Sequence, residues 1–259
     1  MKNEGFSLEN FSLRGKNAIV TGGNSGLGHA FSEALAKGGA NVLVVSRSGY
    51  MDNTKKVVED SGVRFEYIKE DLTKEGACKR VVDACISRLG SVDILVNSAG
   101  ICINIEDVRN FTRVEWDQMV SVNLTAPYEM AHEACKYMIP NGGGKIINIA
   151  SLYSFLGGQW SPAYAATKHG IAGLTKSLCD ELAGYNIQVN AIAPGYFSTK
   201  LTEKTRMNEK ENSRVISHIP ANRWGEPEDL MGACVFLASK ASQYVNGHIL
   251  TVDGGYLMR

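Results

Sequence analysis

Short, mostly continuous apolar runs alternate with amphipathic stretches along the whole chain. Strands that are buried on both faces of a parallel sheet have this near-continuous apolar character, and the stretches between them are typical of covering helices. The pattern predicts a doubly wound α/β fold, with a seven-stranded, mainly parallel sheet, helices on both faces, and the ligand at the carboxyl ends of the strands. The predicted strands are Asn17–Val20, Asn41–Val45, Arg64–Ile68, Asp93–Val96, Lys145–Ile149, Gln188–Ile192 and His248–Val252.

Nothing in the pattern indicates a second folding unit. The chain has no internal repeat, no low-complexity tract and no linker rich in proline, glycine or serine. A single domain over residues 1–259 is therefore predicted. One segment, at about residues 198–222, is polar and weakly periodic and lies between two predicted strands. Long excursions of this kind are either functional or merely solvated, and the pattern leaves both interpretations open.

The composition is that of a globular protein without a charge bias. The 259 residues are 44% hydrophobic, with 27 Lys+Arg against 27 Asp+Glu, which is ample for one core and argues against nucleic-acid or anionic-membrane partners. No apolar stretch approaches the ~20 residues that span a bilayer. The first residues lack the apolar region of a secretory signal, so we expect a cytoplasmic protein.

The cysteines and histidines do not indicate a metal site. The six cysteines are scattered, without CxxC pairs or neighbouring histidines, so neither a zinc site nor a redox dithiol is predicted. The five histidines lack metal-ligand spacing and have no carboxylate partner in the sequence. We therefore expect structural histidines and buried, reduced cysteines.

A glycine-rich turn follows the first predicted strand. The apolar run that ends at Val20 leads directly into Thr21-Gly22-Gly23-Asn24-Ser25-Gly26-Leu27-Gly28 and then into a helical pattern. A buried strand that turns through glycines into a helix presents free backbone N–H groups and a positive dipole end to a pyrophosphate. The alternative is a tight strand-to-helix turn that binds no ligand.

A tyrosine and a lysine, Tyr164 and Lys168, are four residues apart just after Ser161 and Pro162. Serine is a good N-cap and proline a good first helical residue, so a helix is predicted to begin just ahead of the tyrosine. Residues at i and i+4 share a helix face, and an ammonium there would stabilise a phenolate and lower the phenol pKa. Ser151 closes an apolar run thirteen residues upstream. The alternative is an ordinary helix that happens to carry both residues.

Several short motifs occur in order along the chain. They are Thr21-Gly22-x-x-x-Gly26-x-Gly28, Asn97-Ser98-Ala99-Gly100, Asn123, Ser151, Tyr164-x-x-x-Lys168 and Pro194-Gly195. In this order and at these separations they resemble the short-chain dehydrogenase/reductase family, and the resemblance covers nearly the whole chain. Ser98 is a departure, because the family usually has a second asparagine there. The resemblance implies a Rossmann fold, hydride transfer between a secondary alcohol or ketone and a nicotinamide cofactor, a substrate loop at about residues 198–222, and a homotetramer.

The resemblance also implies the roles of four catalytic residues. Tyr164 would carry the proton, and Ser151 would hydrogen-bond the same substrate oxygen. Lys168 would lower the pKa of Tyr164 and hold the nicotinamide ribose hydroxyls. Asn123 would bend a helix and hold a water that links the lysine to solvent. For Ser151 the alternative is a cap or a strand-end hydrogen bond, and for Asn123 the satisfaction of backbone groups.

Cofactor choice depends on the end of the second predicted strand. Family members that favour NAD have an acidic residue there, but this chain has Ser46 followed by Arg47, which suits a 2′-phosphate and favours NADP(H) over NAD(H). Ser25 argues the other way, because it replaces a second basic residue found in many NADP-dependent members. Asp71 matches the position that contacts adenine, with a helix cap as the alternative. The predicted cofactor-binding residues are Gly22, Asn24, Ser25, Gly26, Leu27, Gly28, Ser46, Arg47, Asp71, Leu72, Asn97, Ala99, Gly100, Tyr164, Lys168, Pro194, Gly195, Phe197 and Thr199.

Substrate identity is the least determined feature. Segments such as 223–232, 241–248 and 252–256 resemble the sugar-acid dehydrogenases of the family, including those acting on deoxygluconate, ketodeoxygluconate and gluconate. A sugar acid or polyol is therefore the first expectation, and Lys200, Lys204, Arg206 and Arg223 are the candidate carboxylate partners. The predicted substrate-binding residues are Ser151, Tyr153, Trp160, Tyr164 and Tyr196.

Other functions stay open at this point. Aromatic and aliphatic pocket walls would suit a hydroxysteroid, a bile acid, a general ketone or an oxoacyl thioester at least as well as a polyol. A nucleotide-sensing protein that has lost catalysis is a more remote alternative. Members that lose catalysis usually lose the tyrosine or the lysine, and this chain has both Tyr164 and Lys168.

Overall fold

A computed structural model describes residue 5 and residues 7–49 and 52–259. Seven strands form one sheet in the order β3-β2-β1-β4-β5-β6-β7, and every neighbouring pair is parallel. The predicted seven-stranded sheet is thus confirmed, and it is parallel throughout. The strands are β1 Asn17–Thr21, β2 Asn41–Ser46, β3 Phe65–Lys69, β4 Ile94–Asn97, β5 Gly144–Ile149, β6 Ile187–Pro194 and β7 Ile249–Val252.

The predicted strand limits agree with the observed ones to within two residues. The largest difference is at β6, which continues past Ile192 to Pro194. Proline usually indicates the end of a strand because it has no N–H for the ladder. At the last position of a strand that loss is tolerated, and the next residue, Gly195, still donates to the carbonyl oxygen of Val252 at 2.9 Å.

Helices cover both faces of the sheet. The connections between successive parallel strands cross over through helices, as such a sheet requires. A π-helical segment, Ser121–Thr125, joins two of the helices into one continuous run. The helices of the described chain are α1 Gly26–Lys37, α2 Asp52–Asp60, α3 Ala77–Leu89, α4 Arg113–Val120, α5 Ala126–Met138, α6 Pro162–Leu182, α7 Glu203–Met207, α8 Glu209–His218 and α9 Met231–Ala238.

The sheet separates two large hydrophobic clusters. In β1, Val20 belongs to the cluster that includes Phe31 of α1 and Leu237 of α9, whereas Ile19 belongs to the cluster on the other face with Met130 of α5. All these side chains are at most 1% exposed. The alternation of β1 between two buried faces explains why its sequence is continuously apolar.

The order of the strands places a crevice at one edge of the sheet. Chain order runs outward from β1 in one direction to β3 and in the other direction from β4 to β7. Ligands of such sheets bind where the order reverses, at the carboxyl ends of the strands. The glycine turn, Ser151 and Pro194-Gly195 all follow carboxyl ends of these strands, so the fold brings them to the same edge.

The segment at residues 198–222 is largely helical. It contains α7 and α8 and packs through a small cluster of Val215, Ile219 and Trp224. Within the described residues, no helix is long and apolar enough to cross a membrane. No group of three or more His, Cys, Asp or Glu side chains that could hold a metal ion occurs in that same part of the chain.

Candidate active site

The turn between β1 and α1 is built for close approach. Gly22 and Gly26 have positive φ angles of +67° and +52°, which glycine adopts without strain. A Cβ on Gly28 would lie 2.1 Å from the carbonyl oxygen of Gly22, so only glycine lets the helix start against the turn. Leu27 packs half-buried against the core.

The beginning of α1 leaves backbone donors unsatisfied. Its N-cap residue, Ser25, is exposed and makes no capping hydrogen bond with its side chain. The first N–H groups of a helix have no partner within the helix, and here they lie beside a turn made largely of glycine. This cradle fits the pyrophosphate of a dinucleotide.

The loop after β2 holds the predicted residues for the adenosine end. Ser46 donates from its hydroxyl to the carbonyl oxygen of Gly49 at 2.9 Å, and Asn24 donates from its side chain to the same oxygen at 2.8 Å. Both residues are buried and shape the loop. Arg47 is exposed, so its guanidinium is the group there that can reach a phosphate.

Asp71 faces Arg47 from the end of β3. Its carboxylate accepts hydrogen bonds from the backbone N–H and the hydroxyl of Thr73 at 3.1 and 2.8 Å, and these bonds, aided by the charge of Arg47, lower its pKa. The alternative of a helix cap is wrong, because α3 begins at Ala77 with Gly76 as its N-cap. Asp71 instead closes a turn. The adjacent Leu72 packs half-buried against the core.

The ends of β1 and β4 are tied together at the point where strand order reverses. The hydroxyl oxygen of Thr21 accepts hydrogen bonds from the N–H groups of Ser98 and Ala99, both at 3.0 Å. A Cβ on Gly22 would meet the Cα of Ala99 at 3.0 Å. Sequence reasoning noted Thr21 only as part of the glycine motif, whereas the structure gives it a positioning role.

Asn97 faces the protein interior. Its side-chain nitrogen donates to Asn148 at 2.9 Å and to the carbonyl oxygen of Pro127 at 3.2 Å, and the residue is 3% exposed. The expectation that Asn97 binds cofactor therefore needs correction for its side chain. An amide at this position can form two interior hydrogen bonds only by turning away from the crevice, so the backbone alone faces the cofactor side.

Asn123 lies in the π-helical segment and is 1% exposed. Its side-chain oxygen accepts from the N–H of Ile101 at 2.9 Å, and its nitrogen donates to the carbonyl oxygen of the same residue at 2.8 Å. A Cβ on Gly100 would lie 3.5 Å from the Asn123 oxygen. Asn123 therefore satisfies the backbone groups of Ile101 and fixes the loop that follows β4, as the structural alternative predicted.

Ser151 performs two tasks at the end of β5. It is the N-cap of the short 3-10 helix Leu152–Ser154 and accepts a hydrogen bond from the N–H of Tyr153 at 3.3 Å. Its hydroxyl also lies close enough to the phenol of Tyr164 to lower the pKa of that phenol in part. The capping alternative and the functional interpretation are thus both compatible with its position.

The ammonium of Lys168 lies over the ring of Tyr164. Its ammonium donates to the carbonyl oxygen of Ile149 at 2.7 Å and lies 5.5 Å from the ring centroid of Tyr164. The residue is 6% exposed, and burial lowers its pKa to about 8. The helix face predicted from the four-residue spacing is therefore confirmed.

The expected lowering of the Tyr164 pKa is not found in the protein alone. Burial raises the pKa of this phenol, the nearby Cys102 raises it further, and the hydrogen bond with Ser151 opposes the change. The physical reason is that Lys168 directs its ammonium to a backbone carbonyl and sits over the ring, not at the phenolic oxygen. Desolvation of the phenolate therefore dominates.

The end of β6 closes the crevice opposite the glycine turn. A Cβ on Gly26 would lie 3.9 Å from a methyl carbon of Thr199, and a Cβ on Gly195 would lie 2.7 Å from the Cα of Asp253. Pro194 and Phe197 are buried and fix this loop to the core. Thr199 therefore lies across from the start of α1, as its predicted cofactor role requires.

Aromatic side chains line the other side of Tyr164. The ring of Tyr153 meets that of Tyr164 edge-on, with centroids 5.7 Å apart. Trp160 is 43% exposed, adopts a positive φ of 65°, and accepts from the N–H of Ile105 at 2.8 Å through its carbonyl oxygen. A bulky residue with positive φ is strained, and such strain is found at functional sites.

Tyr256, Arg214 and Cys102 lie near the site and were not predicted from the sequence. The predicted residue Tyr196 contacts the rings of Trp224 and Tyr256 at centroid distances of 5.5 and 5.2 Å. Arg214, on α8, lies close to the side chains of Tyr196 and Tyr256. Cys102, whose pKa is raised by burial, lies near enough to Tyr164 to act on its charge. Only the polar, weakly periodic character of the 198–222 segment pointed to Arg214.

Comparisons with known proteins agree with this geometry. The family described as Enoyl-(Acyl carrier protein) reductase matches residues 22–257. An oxidoreductase of Escherichia coli K12, YgcW, is 59% identical over 98% of this chain and 97% of its own length. The 2-dehydro-3-deoxy-D-gluconate 5-dehydrogenase of Bacillus subtilis is 46% identical over 98% of this chain and 100% of its own.

A solved structure shows the same fold. The gluconate 5-dehydrogenase of Burkholderia cenocepacia, in complex with NADP and tartrate, superimposes with a TM-score of 0.91 at 34% identity, covering 98% of this chain and 100% of its own. The family match, the full-length relatives and the site geometry lead to one conclusion. This chain belongs to the short-chain dehydrogenase/reductase family and is an NAD(P)-dependent oxidoreductase.

Proposed function

We propose that this oxidoreductase interconverts a secondary hydroxyl and a ketone on a sugar acid, with NADP(H) as its cofactor and Tyr164 as general acid and base. The observation that carries the proposal is the contact of three side chains, Ser151, Tyr164 and Lys168, at the edge of the sheet that holds the glycine cradle. A nucleotide-sensing protein without catalysis would not need these three side chains beside the cradle, whereas every dehydrogenase or reductase considered for the sequence would.

The residues present fit a dinucleotide. A Cβ on Gly22 would meet the Cα of Ala99 at 3.0 Å, and one on Gly28 would meet the carbonyl oxygen of Gly22 at 2.1 Å, so these glycines let the turn lie close against the start of α1. The free N–H groups at that helix start suit a pyrophosphate. When bound, the nicotinamide supplies the acceptor or donor of the hydride. Lys168 would hold the ribose hydroxyls, and Thr199 would hold the nicotinamide end from the opposite side.

Tyr164 would manage the single proton of the reaction. In oxidation its phenolate takes the proton of the substrate hydroxyl, and in reduction its phenol gives the proton to the developing alkoxide. Ser151 would donate a hydrogen bond to the same oxygen and stabilise negative charge there. Burial raises the pKa of Tyr164 in the protein alone, so ionisation needs added positive charge nearby when the site is loaded.

Arg47 is the basis for proposing NADP. It is exposed at the end of β2, where an acidic residue would favour NAD, and a guanidinium matches a phosphate with two parallel hydrogen bonds. NADP is bound by the Burkholderia cenocepacia relative. Ser46 contributes less than expected, because its hydroxyl already donates to Gly49.

Two observations bear on the substrate. The relatives named for 2-dehydro-3-deoxy-D-gluconate and gluconate support a sugar acid. Phe155, Leu156 and Trp160 are 46%, 39% and 43% exposed near the site and favour the second candidate, a bulkier apolar alcohol such as a hydroxysteroid.

A screen in both reaction directions distinguishes these candidates. Purified protein is assayed with NADP and with NAD against sugar acids, polyols and hydroxysteroids, and with NADPH and with NADH against ring ketones and other ketones. The proposal expects the highest kcat/KM with a sugar acid and NADP. A preference for steroids or other apolar alcohols would replace the first candidate with the second.

We further propose that the enzyme acts in the cytoplasm as a homotetramer. Free cysteines support a reducing compartment, and Val114, Trp116 and Tyr128 expose 75%, 37% and 48% of their surface on α4 and α5, which favours a subunit contact. Size-exclusion chromatography with light scattering measures the assembly, and a monomer would contradict this part of the proposal.

A further inference from the structure

A chain of tyrosine side chains leads away from the proposed catalytic residue. The ring of Tyr153 contacts that of Tyr164 at 5.7 Å between centroids, and Tyr153 lies close enough to Tyr196 to raise the pKa of its hydroxyl. Tyr196 in turn contacts Tyr256, with 5.2 Å between ring centroids. These residues come from three separate parts of the chain and build one wall of the crevice.

Arg214 stands at the far end of this wall. It is on α8, its side chain is 58% exposed, and it lies close enough to the hydroxyls of Tyr196 and Tyr256 to lower their pKa in part. Its Nε donates to a carboxylate oxygen of Glu211 at 3.0 Å. A guanidinium has five N–H groups, so this ion pair leaves most of its donors for other partners.

The other arginines of this region donate to groups away from the tyrosine wall. Both terminal nitrogens of Arg223 donate to Asp229, at 2.6 and 3.0 Å. Arg206 donates to the carbonyl oxygen of Thr199 at 3.0 Å, its buried Nε has no hydrogen-bond partner, and it lines a separate cavity of about 470 Å³ that Tyr153, Tyr196 and Arg214 do not line. Of these three arginines, Arg214 is the one that lies beside the tyrosine wall.

We propose that Arg214 binds the carboxylate of the sugar-acid substrate, with the hydroxyls of Tyr196 and Tyr256 as further donors. This inference rests on the proposed function, and it adds the residue that selects an acid over a neutral polyol. A guanidinium pairs with a carboxylate through two parallel hydrogen bonds. The tyrosines place this charge on the same wall as the proton-transfer residue, so one extended substrate contacts both.

Glu211 provides an independent check on the proposal. Its carboxylate occupies one donor of Arg214 and competes with a substrate carboxylate for the same positive charge. Glu211→Gln keeps the backbone N–H that donates to the capping Asn208 at 3.1 Å. If Arg214 binds the substrate, this change lowers KM for the acid, whereas a purely structural ion pair predicts no gain.

The experiment compares acid and neutral substrates of the same carbon number. The kcat and KM of the wild type, Arg214→Gln, Arg214→Lys and Glu211→Gln are measured with NADP, for the sugar acid with the highest activity among D-gluconate and 2-dehydro-3-deoxy-D-gluconate, and for D-glucitol. Arg214→Gln is expected to raise KM for the acid by roughly 10- to 100-fold, the range of a lost charge-assisted hydrogen bond. Its kcat and its KM for D-glucitol stay within about 3-fold, and Arg214→Lys recovers part of the loss.

Arg206→Gln is the matched control. Because Arg206 holds the backbone of Thr199, this variant is expected to affect acid and polyol alike. A selective rise in KM for the acid in Arg206→Gln, or none in Arg214→Gln, would overturn the assignment of Arg214. If the wild type turns over neither acid, the proposed function itself fails, and the wild-type assay alone reveals this.

Discussion

Tyr164 combines two opposing requirements in one side chain. Its phenol must be desolvated to exclude water from the reacting oxygen, but burial raises its pKa and holds the proton in place. The hydroxyl of Ser151 offsets part of this effect in the protein alone. Lys168, whose pKa burial lowers to about 8, still carries most of its positive charge at neutral pH.

Removal of the phenolic oxygen tests the proton-transfer role. Tyr164→Phe keeps the ring and its edge-on contact with Tyr153, so the fold and dinucleotide affinity are expected to persist. Turnover is expected to fall by at least ~10²-fold, the lower range for general acid–base catalysis. Steady-state kinetics and a dinucleotide titration measure the two quantities separately. Tyr244→Phe, at a fully exposed position, controls for the substitution itself, and near-wild-type turnover in Tyr164→Phe would refute the role.

Lys145 is a second buried cation, and it lies outside the site. It is 8% exposed, its ammonium donates to Ser242 at 3.4 Å and to Gln243 at 3.5 Å, and no carboxylate pairs with it in the described part of the chain. Burial lowers its pKa to about 8. The unfolded chain keeps the ordinary, higher pKa and so binds more protons between about pH 8 and pH 10.5.

That difference sets the direction of a pH dependence. Folding stability gains from this residue as pH rises through the window, and the full penalty of the buried charge is present at pH 7. Lys145→Met is therefore expected to raise the free energy of unfolding by about 1–3 kcal/mol at pH 7 and by much less at pH 10. Urea denaturation at both values measures this, with the exposed Lys56→Met as control. An equal gain at both pH values would point to packing and not to charge.

The strands and the helix of Tyr164 could be predicted because each depends on local sequence. Continuous apolar runs gave all seven strands, and Ser161-Pro162 predicted the beginning of α6. The π-helical segment at Asn123 was predicted only as a bend implied by the family resemblance. Its cause is tertiary, since the side chain pairs with the backbone of Ile101 across the crevice.

The close contact between the glycine turn and α1 gives a prediction about the position of α1 and the dinucleotide affinity that depends on it. A Cβ at position 28 would lie 2.1 Å from the carbonyl oxygen of Gly22, which is backbone and cannot move aside without opening the turn. Gly28→Ala is expected to weaken dinucleotide binding by at least about 10-fold, because the helix start must shift away from the cradle. Fluorescence titration with NADPH measures the affinity.

Gly232→Ala is the matched control for that variant. Gly232 also lies near a helix start, in α9, but a Cβ there meets nothing within 4 Å. Alanine is the better helix former by about 1 kcal/mol, so this change is expected to be neutral or slightly stabilising. If both variants bind NADPH like the wild type, the cradle does not hold the pyrophosphate.

The substrate wall shows what local patterns cannot reveal. Tyr153, Tyr196, Arg214 and Tyr256 are far apart in sequence and meet only because β5, β6, α8 and the chain end converge at one edge of the sheet. The candidate carboxylate partners predicted from the sequence were Lys200, Lys204, Arg206 and Arg223. In the structure Arg223 pairs with Asp229, and Arg206 donates to the carbonyl oxygen of Thr199 but keeps a buried Nε without a partner. The direction of a long side chain on a loop helix is set by packing, which no spacing rule encodes.

The whole molecule responds to cofactor through linkage. A ligand that binds only the folded state stabilises it by RT ln(1 + [L]/Kd), or about 2.7 kcal/mol at 100 times Kd. For a chain of this size that corresponds to a rise in Tm of roughly 5–10 °C. If Arg47 binds the 2′-phosphate, NADPH raises Tm more than NADH at equal concentration, and Arg47→Ala removes that difference while keeping the smaller shift. Differential scanning fluorimetry measures the Tm of the wild type and of Arg47→Ala, each with NADPH and with NADH. An equal shift with both dinucleotides in the wild type would mean that Arg47 does not select the cofactor.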